Sequence, residues 1–298
     1  MKITGLDDEK CIKCLACIDD CPANLFFKPP TKTGEKRRVF FEDPHDKCIE
    51  CGHCVAICPT NAITYSDAED PMEFEEAKNP STLIEYEALM KVLRCRRSIR
   101  KYKEKKVSDE DIEAVLQAMR YAPTARNAQV IKYIVITNPE KIEKFRLAVV
   151  KMWKKLLKLL LLAKKIKFLL PKKLKEEVSD SNQMSLEKHV NRSNQGIDEV
   201  FYNAPVVIVL HVPPGLSKVM AGNDAGDAIT FGMLAAQSRG LGTCWIGYAM
   251  ETINRSKDIK KWLKIPKENM VTGVFILGHP AVKYHRVPSR KTLIVDWN

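Results

Sequence analysis

The sequence predicts an α+β protein that combines a small Cys-rich domain with a larger domain of alternating strands and helices. Eight of its ten cysteines lie close to the N-terminus, where the connections are short. Residues 68–88 are acidic and contain Pro71 and Pro80, a composition typical of a linker. Beyond residue 89, β-branched runs alternate with segments of helical period. We therefore expect domains at 1–67 and 89–298, joined by a linker at 68–88.

The larger domain is expected to contain three strands, each a short apolar run: Tyr133–Thr137, Val206–Val212 and Val271–Leu277. The second run is apolar except at His211, which predicts a central strand buried on both faces. Three helices are expected, over Leu83–Leu93, Asp111–Arg120 and Asp224–Ser238. Ser108 has the chemistry of an N-cap, and the glycines after Ser238 are stop signals.

Composition excludes several classes of function. A hydrophobic content of 45% is that of a globular protein with a real core. The formal net charge of +12 arises mainly from Lys151–Lys175, which contains ten lysines and no acid, so a general nucleic-acid-binding role loses its support. Met1–Lys10 is polar and lacks the apolar region of a secretory signal, and runs such as Leu159–Ala163 are too short to span a bilayer. The expected location is the cytoplasm.

Eight cysteines form two copies of one pattern, C-x-x-C-x-x-C-x-x-x-C-P. The first copy ends at Cys21-Pro22 and the second at Cys58-Pro59. This is the bacterial 4Fe–4S run, in which three cysteines bind one cluster and the fourth binds the other. The expected ligands of cluster I are Cys11, Cys14, Cys17 and Cys58, and those of cluster II are Cys48, Cys51, Cys54 and Cys21.

Two alternatives to an electron-carrying role stand beside this interpretation. Zinc also binds C-x-x-C pairs, but it takes four ligands and does not require a third Cys at the same spacing. Clusters could also serve only to stabilise the fold, although two adjacent clusters favour electron relay. The long connection between the two runs predicts an additional hairpin, formed by Asn24–Phe27 and Val39–Phe41. Cys95 and Cys244 lie outside both runs and are expected to be small core residues.

The larger domain opens with a basic run, Arg94–Tyr102, directly after a predicted helix. Taken by itself, such a run is either a solvated face or a phosphate clamp, because guanidinium groups match phosphate oxygens. Three later segments bear on the choice: Ala122–Gln129 (APTARNAQ), Gly240–Gly247 (GLGTCWIG) and Gly278–Pro280, which is followed by Arg290. In this order and spacing, the segments resemble the nitroreductase family of FMN enzymes from about Leu89 to Trp297.

The resemblance implies a central, mostly antiparallel sheet flanked by helices, and an FMN site at the interface of a homodimer. By this resemblance, the FMN phosphate and pyrimidine contacts are Arg96, Arg97, Ser98 and Arg100, with Arg290 as a late phosphate contact. A loop from the partner subunit along the flavin corresponds to Pro123, Thr124, Ala125 and Asn127. The segment on the other side of the ring corresponds to Leu241, Gly242, Trp245, Ile246 and Gly247, with the Gly247 N–H as donor to flavin N5.

One departure from the family pattern is Val130-Ile131, which follows Gln129 where many relatives have Pro-Trp. The residues that face the substrate are not identified by any motif. His279 lies beside a turn and is expected to be structural rather than catalytic.

A Lys-rich helical insert is expected at about 150–178. One helical stripe of this segment is apolar, which predicts a basic amphipathic helix. The stripe consists of Trp153, Leu156, Leu157, Leu160, Ala163, Ile166 and Leu170. We expect a lid or a dimer-edge helix first, a dock for an acidic electron-carrier protein second, and a membrane-surface contact third.

Together these features predict an oxidoreductase with two 4Fe–4S clusters and FMN, in which the clusters exchange electrons with the flavin and the flavin reduces a small organic substrate. The acceptor classes considered are nitro compounds, quinones and enones. NAD(P)H is a further candidate donor, although no G-x-G-x-x-G fingerprint supports a separate nicotinamide domain. The alternatives are an electron-transfer module of a larger complex and a flavin-processing enzyme.

Overall fold

The computed structural model describes residues 1–30, 38–69, 72–166 and 180–298, and this part of the chain forms two compact units. The first, called the Cys-rich unit, comprises Met1–Glu85 together with Thr124–Ala128. The second, called the sheet unit, comprises Tyr86–Pro123 and Gln129–Asn298. The segment expected to be a linker contains two short 3₁₀ helices, Glu75–Lys78 and Pro80–Thr82.

The Cys-rich unit contains two small antiparallel sheets and two short helices. Strand β1 (Lys2–Leu6) pairs with β4 (Ile63–Ser66), and β2 (Phe26–Phe27) pairs with β3 (Phe40–Phe41). The second pairing confirms the predicted additional hairpin strands. Helices α1 (Ala16–Asp19) and α2 (His53–Ile57) each contain the third cysteine of a run. The buried core of this unit is small and mixes apolar side chains with cysteines, namely Ile3, Cys17, Phe26, Val39, Cys54 and Ile63.

The sheet unit is built on four strands in the order β5-β6-β8-β7, every neighbouring pair being antiparallel. Their bounds are Lys132–Ile136, Val206–Val212, Met270–Gly278 and, for β7, Gly242–Trp245. The three predicted strands are confirmed to within one residue. Strand β7 was not predicted, because it has only four residues and lies within a glycine-containing motif that carries no clear period.

Helices cover both faces of this sheet, which explains why β6 is buried at all seven positions. Its alternate residues enter different cores, because successive side chains of a strand point to opposite faces. Val207 and Val209 pack on one face with the helices near Phe145. Ile208 and Leu210 pack on the other, with residues such as Val115. The structure is therefore a three-layer α+β arrangement, as predicted.

The helices of the sheet unit begin near the predicted positions, but several are longer than predicted. In chain order they are α3 (Tyr86–Cys95), α4 (Asp109–Arg120), α5 (Pro139–Lys165), α6 (Asp180–Asn194), α7 (Lys218–Ser238), α8 (Gly247–Arg255) and α9 (Lys257–Trp262). The predicted N-cap of α4 is confirmed, since Ser108 Oγ accepts from Asp111 N at 3.1 Å. Helix α7 ends with Gly240 at φ +71°, where Leu241 N donates to Ala236 O in a Schellman arrangement.

Residues 151–165 of the Lys-rich segment form the second half of the long helix α5. The helix begins earlier than expected because Asn138 caps Lys141 N at 2.9 Å and Pro139 occupies the first position. Trp153 is buried and Leu156, Leu157 and Leu160 pack against the core, as the predicted stripe requires. The remainder of the predicted insert, residues 167–178, lies outside the described residues. None of the helices in the described ranges is both long and apolar enough to cross a membrane.

A tight loop after α6 is organised by the buried carboxylate of Asp198. Its Oδ1 accepts from Val200 N and Phe201 N at 2.9 Å each, and its Oδ2 accepts from Asn203 N at 2.9 Å. Three backbone donors that would otherwise be unpaired are thereby satisfied. The turn fixes the positions of the residues on either side of Val200, which line the cavities described below.

We predict that Asp198→Ala destabilises the sheet unit by about 3 kcal/mol, because it leaves buried N–H groups without an acceptor. Asp198→Asn, which keeps one carbonyl oxygen, should cost less. All four tryptophans belong to the sheet unit, so urea unfolding followed by tryptophan fluorescence reports on this unit. An Asp198→Ala variant with an unchanged unfolding midpoint would contradict this role.

Candidate functional site

In the Cys-rich unit, two buried cysteines, Cys17 and Cys54, lie near other N-terminal cysteines. Burial raises the pKa of the Cys17 thiol, and the neighbouring sulfurs of Cys11, Cys14 and Cys58 raise it further. Burial also raises the pKa of Cys54 to about 12, with added repulsion from Cys51, Cys21 and Cys48. Each buried cysteine thus has as its neighbours the other three members of its predicted set.

Both C-x-x-C turns use the same backbone conformation. Lys13 and Glu50, each directly before the second Cys of its run, have φ of +61° and +54°. Leu15 and Gly52, each directly after that Cys, have φ of +69° and +77°. Repeated left-handed residues turn successive N–H groups toward the inside of a loop, an arrangement that receives anionic groups. The two runs therefore form two equivalent cradles.

Three backbone N–H groups, one in the second turn and one after the last cysteine of each run, donate to cysteine sulfur. Ala62 N donates to Cys58 Sγ at 3.2 Å, while Leu25 N and Glu50 N donate to Cys21 Sγ and Cys48 Sγ at 3.4 Å each. Such bonds stabilise negative charge on cluster sulfurs and so influence the reduction potential.

The donor set fits iron–sulfur clusters better than zinc. Cys21, Cys48, Cys51 and Cys54 line one cavity, whose other walls include the apolar Phe26 and Phe41. Thiols with raised pKa lose their protons when iron takes the place of the proton.

In the sheet unit, the arginine run and the late arginine line one cavity of about 250 Å³. Its lining consists of Arg96, Arg97, Ser98, Arg100, Pro288 and Arg290. Four guanidinium groups and no carboxylate face this space, which is the donor set that a phosphate group requires. This cavity is called the arginine cradle below.

The arginine cradle is held in place by a connection to β7. Ile99 N donates to Thr243 O at 2.8 Å, and Ser98 forms an isolated parallel bridge with Thr243. A side chain at Gly242 could not be accommodated, because its Cβ would lie 2.6 Å from Ile99 Cγ1. The glycine is therefore required for close packing of the two segments.

A second cavity, of about 440 Å³, lies beside the end of β7 and is called the aromatic cavity below. Trp245, Ile246 and Gly247 form one wall. Ile246 N is bonded to Val274 O at 2.7 Å, which fixes the chain where α8 begins. Gly247 is the first residue of that helix, so its N–H lies at the positive end and has no partner inside the helix.

A third cavity, of about 740 Å³, adjoins the other two. Arg100 lines all three cavities, and Tyr202 and Glu199 line both the second and the third. The guanidinium groups pack on aromatic rings here: Arg97 lies 4.7 Å from the ring centre of Tyr284, and Arg100 lies 5.9 Å from that of Tyr202. Space for a phosphate and for a planar ring is therefore adjacent in one unit.

Not all predicted flavin contacts line these cavities. Leu241 is buried in the core on the α4 and α7 face of the sheet. The loop residues Thr124, Ala125 and Asn127 belong to the Cys-rich unit, and neither they nor Pro123 are among the described residues that line the three cavities.

The loop Thr124–Ala128 is bonded to the second C-x-x-C turn within the Cys-rich unit. Asn127 Nδ2 donates to Glu50 O at 2.8 Å and to Ile49 O at 3.4 Å. Arg126 and Asn127 adopt φ of +56° and +51°, so the loop presents the Asn127 side chain from a left-handed turn. The resemblance placed this loop along a flavin, and the structure adds its contact with the cluster II turn.

Two expectations about isolated residues can now be assessed. Cys244 is buried, as predicted for a core residue, whereas Cys95 is exposed, so the prediction for Cys95 was wrong. Cys95 is the last residue of α3, a helix with no buried residue, and it therefore has no core to enter. His279 Nε2 lies 3.2 Å from Lys106 O, as expected for a structural histidine beside a turn.

The sequence did not identify the side chains that close the aromatic cavity. Trp153 from α5, His189 from α6 and Tyr248 from α8 contact one another there, with ring centres 5.3–5.9 Å apart. They come from three helices with no shared motif. The apolar stripe of α5 pointed to Trp153 as a core residue, but no local signal pointed to the other two.

Comparison with known proteins agrees with this geometry. The profile of the nitroreductase family matches residues 93–279, and that of the 4Fe–4S dicluster domain matches residues 10–63. A protein of Archaeoglobus fulgidus, provisionally named an NADH dehydrogenase/NAD(P)H nitroreductase, is 29% identical over 65% of this chain and 86% of its own length. The FMN reductase [NAD(P)H] of Bacillus subtilis is 25% identical over 67% of this chain and 69% of its own length.

Solved structures show the same fold. A nitroreductase with bound FMN from Bacteroides fragilis has a TM-score of 0.50 and 24% identity, with 70% of this chain and 98% of that chain covered. One from Desulfitobacterium hafniense, also with bound FMN, has a TM-score of 0.51 and 24% identity, with 70% and 97% covered. The family profile spans more than half of the chain. This chain therefore belongs to the nitroreductase family of oxidoreductases and has a 4Fe–4S dicluster domain at its N-terminus.

Proposed function

We propose that two 4Fe–4S clusters relay electrons to or from FMN, and that FMN reduces a small organic acceptor such as a nitro compound, a quinone or an enone. The observation that carries this proposal is the hydrogen bonding of Asn127 to the carbonyls of Ile49 and Glu50. The loop that resembles a flavin-packing loop is thereby attached to the turn that would hold cluster II. Electrons leaving that cluster would pass into the loop through the two hydrogen bonds of Asn127.

The expected ligand sets remain as the spacing predicts. Cluster I would be held by Cys11, Cys14, Cys17 and Cys58, and cluster II by Cys48, Cys51, Cys54 and Cys21. The mutual proximity of sulfurs within each set supports this assignment. Iron–sulfur clusters exchange single electrons, so they require a partner group that stores two before an organic acceptor can be fully reduced.

FMN supplies that conversion between one-electron and two-electron chemistry when it is bound. The arginine cradle would hold its phosphate through Arg96, Arg97, Ser98, Arg100 and Arg290. Trp245 and Ile246 would support the ring, and the Gly247 N–H at the positive end of α8 would donate a hydrogen bond to it. Pro123, Thr124, Ala125 and Asn127 would pack along the flavin of a partner subunit in a homodimer, with Leu241 and Gly242 holding β7 in place behind the ring.

Exposed leucines in the second half of α5 support the expectation that this helix acts as a lid or lies at a dimer edge. Leu159, Leu161 and Leu162 on this helix are 53%, 40% and 60% exposed. A second subunit would cover these leucines. The lysines of the same helix suit an acidic electron-carrier protein or, as the weakest of the three roles, a membrane surface. We place the protein in the cytoplasm, where thiols stay reduced.

The structure favours an enzyme with a small acceptor of its own over an electron-transfer module whose flavin site is closed to solvent. Trp245 and Tyr248, on the wall of the aromatic cavity, are 37% and 50% exposed, so a molecule could reach this cavity from solvent. The NAD(P)H-linked names of the two relatives support nicotinamide as a further candidate donor.

Anaerobic reconstitution should give about eight iron atoms per chain, as two 4Fe–4S clusters require. A Cys11→Ser variant should lose the iron of cluster I, while the exposed Cys95→Ser should keep the full content. Iron and sulfide analysis measures the cluster content of each variant, and electron paramagnetic resonance of the reduced protein detects the clusters. Stoichiometric zinc with no iron uptake would contradict the cluster assignment.

Arg96→Gln should weaken FMN binding by about 2 kcal/mol, roughly thirtyfold in Kd, because one charge-assisted phosphate contact is lost. Arg96 is chosen because Arg97 also stacks on Tyr284. Arg94→Gln, which alters an exposed arginine two positions earlier, is the matched control and should bind FMN normally. Fluorescence titration of the apoprotein gives both values, and equal affinities for the two variants would exclude the arginine cradle as the phosphate site.

Asn127→Asp should slow electron transfer between clusters and flavin, because a carboxylate cannot donate to the carbonyls of Ile49 and Glu50. Asp tolerates the left-handed conformation of this position, so the backbone can stay as it is. Asn24→Asp is the control, since Asn24 is exposed, has φ of +54° and lies in the same unit.

The measurement is stopped-flow flavin reduction after the clusters have been reduced, with iron and FMN contents checked first. The relay through this loop is excluded if Asn127→Asp and Asn24→Asp transfer electrons at the wild-type rate.

A further inference from the structure

The aromatic cavity contains a histidine–carboxylate pair that the flavin-binding residues do not explain. His189 Nδ1 lies 3.1 Å from Glu199 Oε2, and the other carboxylate oxygen, Oε1, accepts from Arg192 Nε. Both His189 and Glu199 line the same cavity as Trp245, Ile246 and Gly247. Their side chains are only 21% and 12% exposed, so the pair is largely removed from bulk water.

Aromatic contacts and hydrogen bonds hold the pair in place. The His189 ring contacts the rings of Trp153 and Tyr248, with ring centres 5.3 Å and 5.9 Å away, and those two rings contact each other at 5.5 Å. Glu199 is positioned by the turn that Asp198 organises. Burial would raise the pKa of Glu199, but hydrogen bonds from Arg192 and His189 hold it below its ordinary value, so this group is a carboxylate. A carboxylate on Nδ1 selects the ring orientation and leaves Nε2 as the nitrogen available to a bound molecule.

We propose that His189 is the proton donor to the organic acceptor bound in the aromatic cavity, and that Glu199 is its positioning residue. This inference rests on the proposed function and deepens it, since it specifies acceptors that must be protonated as they are reduced, such as quinones and enones. A planar acceptor would lie beside the flavin ring and against Trp153 and Tyr248, the aromatic walls that the proposed flavin contacts leave free.

The atoms and electrons balance for a quinone. Its reduction to a hydroquinone takes up two electrons and two protons. The electrons and one proton come from the reduced flavin, and the second proton comes from the His189 imidazolium. The imidazolium becomes a neutral imidazole that Glu199 still orients, and it regains a proton from water at the exposed side of the cavity.

Two acceptors separate proton delivery from electron delivery. Menadione needs protons to become its hydroquinone, whereas ferricyanide takes one electron and no proton. The anaerobic protein with bound FMN is reduced with stoichiometric dithionite and then mixed with either acceptor in a stopped-flow instrument, while the flavin absorbance is followed. No separate donor is present during the measurement.

His189→Gln should slow menadione reduction by about 100-fold, the usual scale for loss of a general acid, and should leave the ferricyanide rate within about twofold of wild type. Gln can still donate to Glu199, so the local structure has a partner. Glu199→Gln should show the same acceptor-selective loss to a smaller extent. His285→Gln, at an exposed histidine of the same unit, is the matched control and should behave as wild type with both acceptors.

The outcomes distinguish this inference from the function on which it rests. Unchanged menadione rates in His189→Gln, or equal losses with menadione and ferricyanide, would overturn the role of His189. A wild-type protein that binds FMN but is not reoxidised by menadione would overturn the proposed function itself. The FMN content and the unfolding midpoint of each variant are measured first. If His189→Gln does not fold, the menadione and ferricyanide rates are compared in His189→Asn and Glu199→Gln instead.

Discussion

The hydrogen bond from Ile99 N to Thr243 O joins two segments that are more than 140 positions apart and on which the flavin-domain site depends. One segment carries the arginines of the cradle, and the other is β7, which leads directly into Trp245–Gly247. Close approach of the two is permitted only because Gly242 has no side chain to meet Ile99. Because β7 is itself paired with β8, the cradle is attached to the sheet that forms the rigid centre of the unit. The arginines that we propose hold the FMN phosphate and the residues that we propose support its ring therefore have a fixed separation.

The Cys-rich unit solves a different physical problem. A domain this small buries too little apolar surface to be stable by packing alone, and its core contains only a few apolar side chains beside cysteines. In the proposed ligand sets, the last cysteine of each run joins the first three of the other, so cluster binding would link both halves of the unit. The raised pKa values of Cys17 and Cys54 mean that these thiols do not ionise readily without metal. Folding of the unit and cofactor binding are therefore expected to be coupled.

The aromatic cavity shows how helices packed on a sheet can bring distant side chains together. Helices α5 and α6 lie between β5 and β6 in the chain and contribute Trp153 and His189 to the cavity wall. The sheet fixes where the cavity lies, whereas these helices supply side chains that would meet an acceptor under the proposed function. Binding sites are commonly formed in this way, with function carried by groups added to a stable scaffold.

The sequence alone determined the features that depend on local spacing. The two Cys runs predict their own ligand sets, the short apolar runs predict β5, β6 and β8, and Ser108 predicts the start of α4. The order of the arginine, GLGTCWIG and GHP segments predicted the flavin domain by resemblance. Each of these signals lies within a short stretch of chain, where covalent geometry limits what the residues can do.

Only the tertiary structure decided which distant side chains meet. The convergence of His189, Glu199 and Tyr248, the attachment of Asn127 to the cluster II turn, and the burial of Leu241 behind the cavity wall are set by packing between elements far apart in sequence. The same cause explains the errors: β7 exists because β8 offers it a hydrogen-bonding edge, and Cys95 is exposed because α3 buries no residue. Such contacts leave no period or spacing in the chain, so they could be found only once the elements were placed in space.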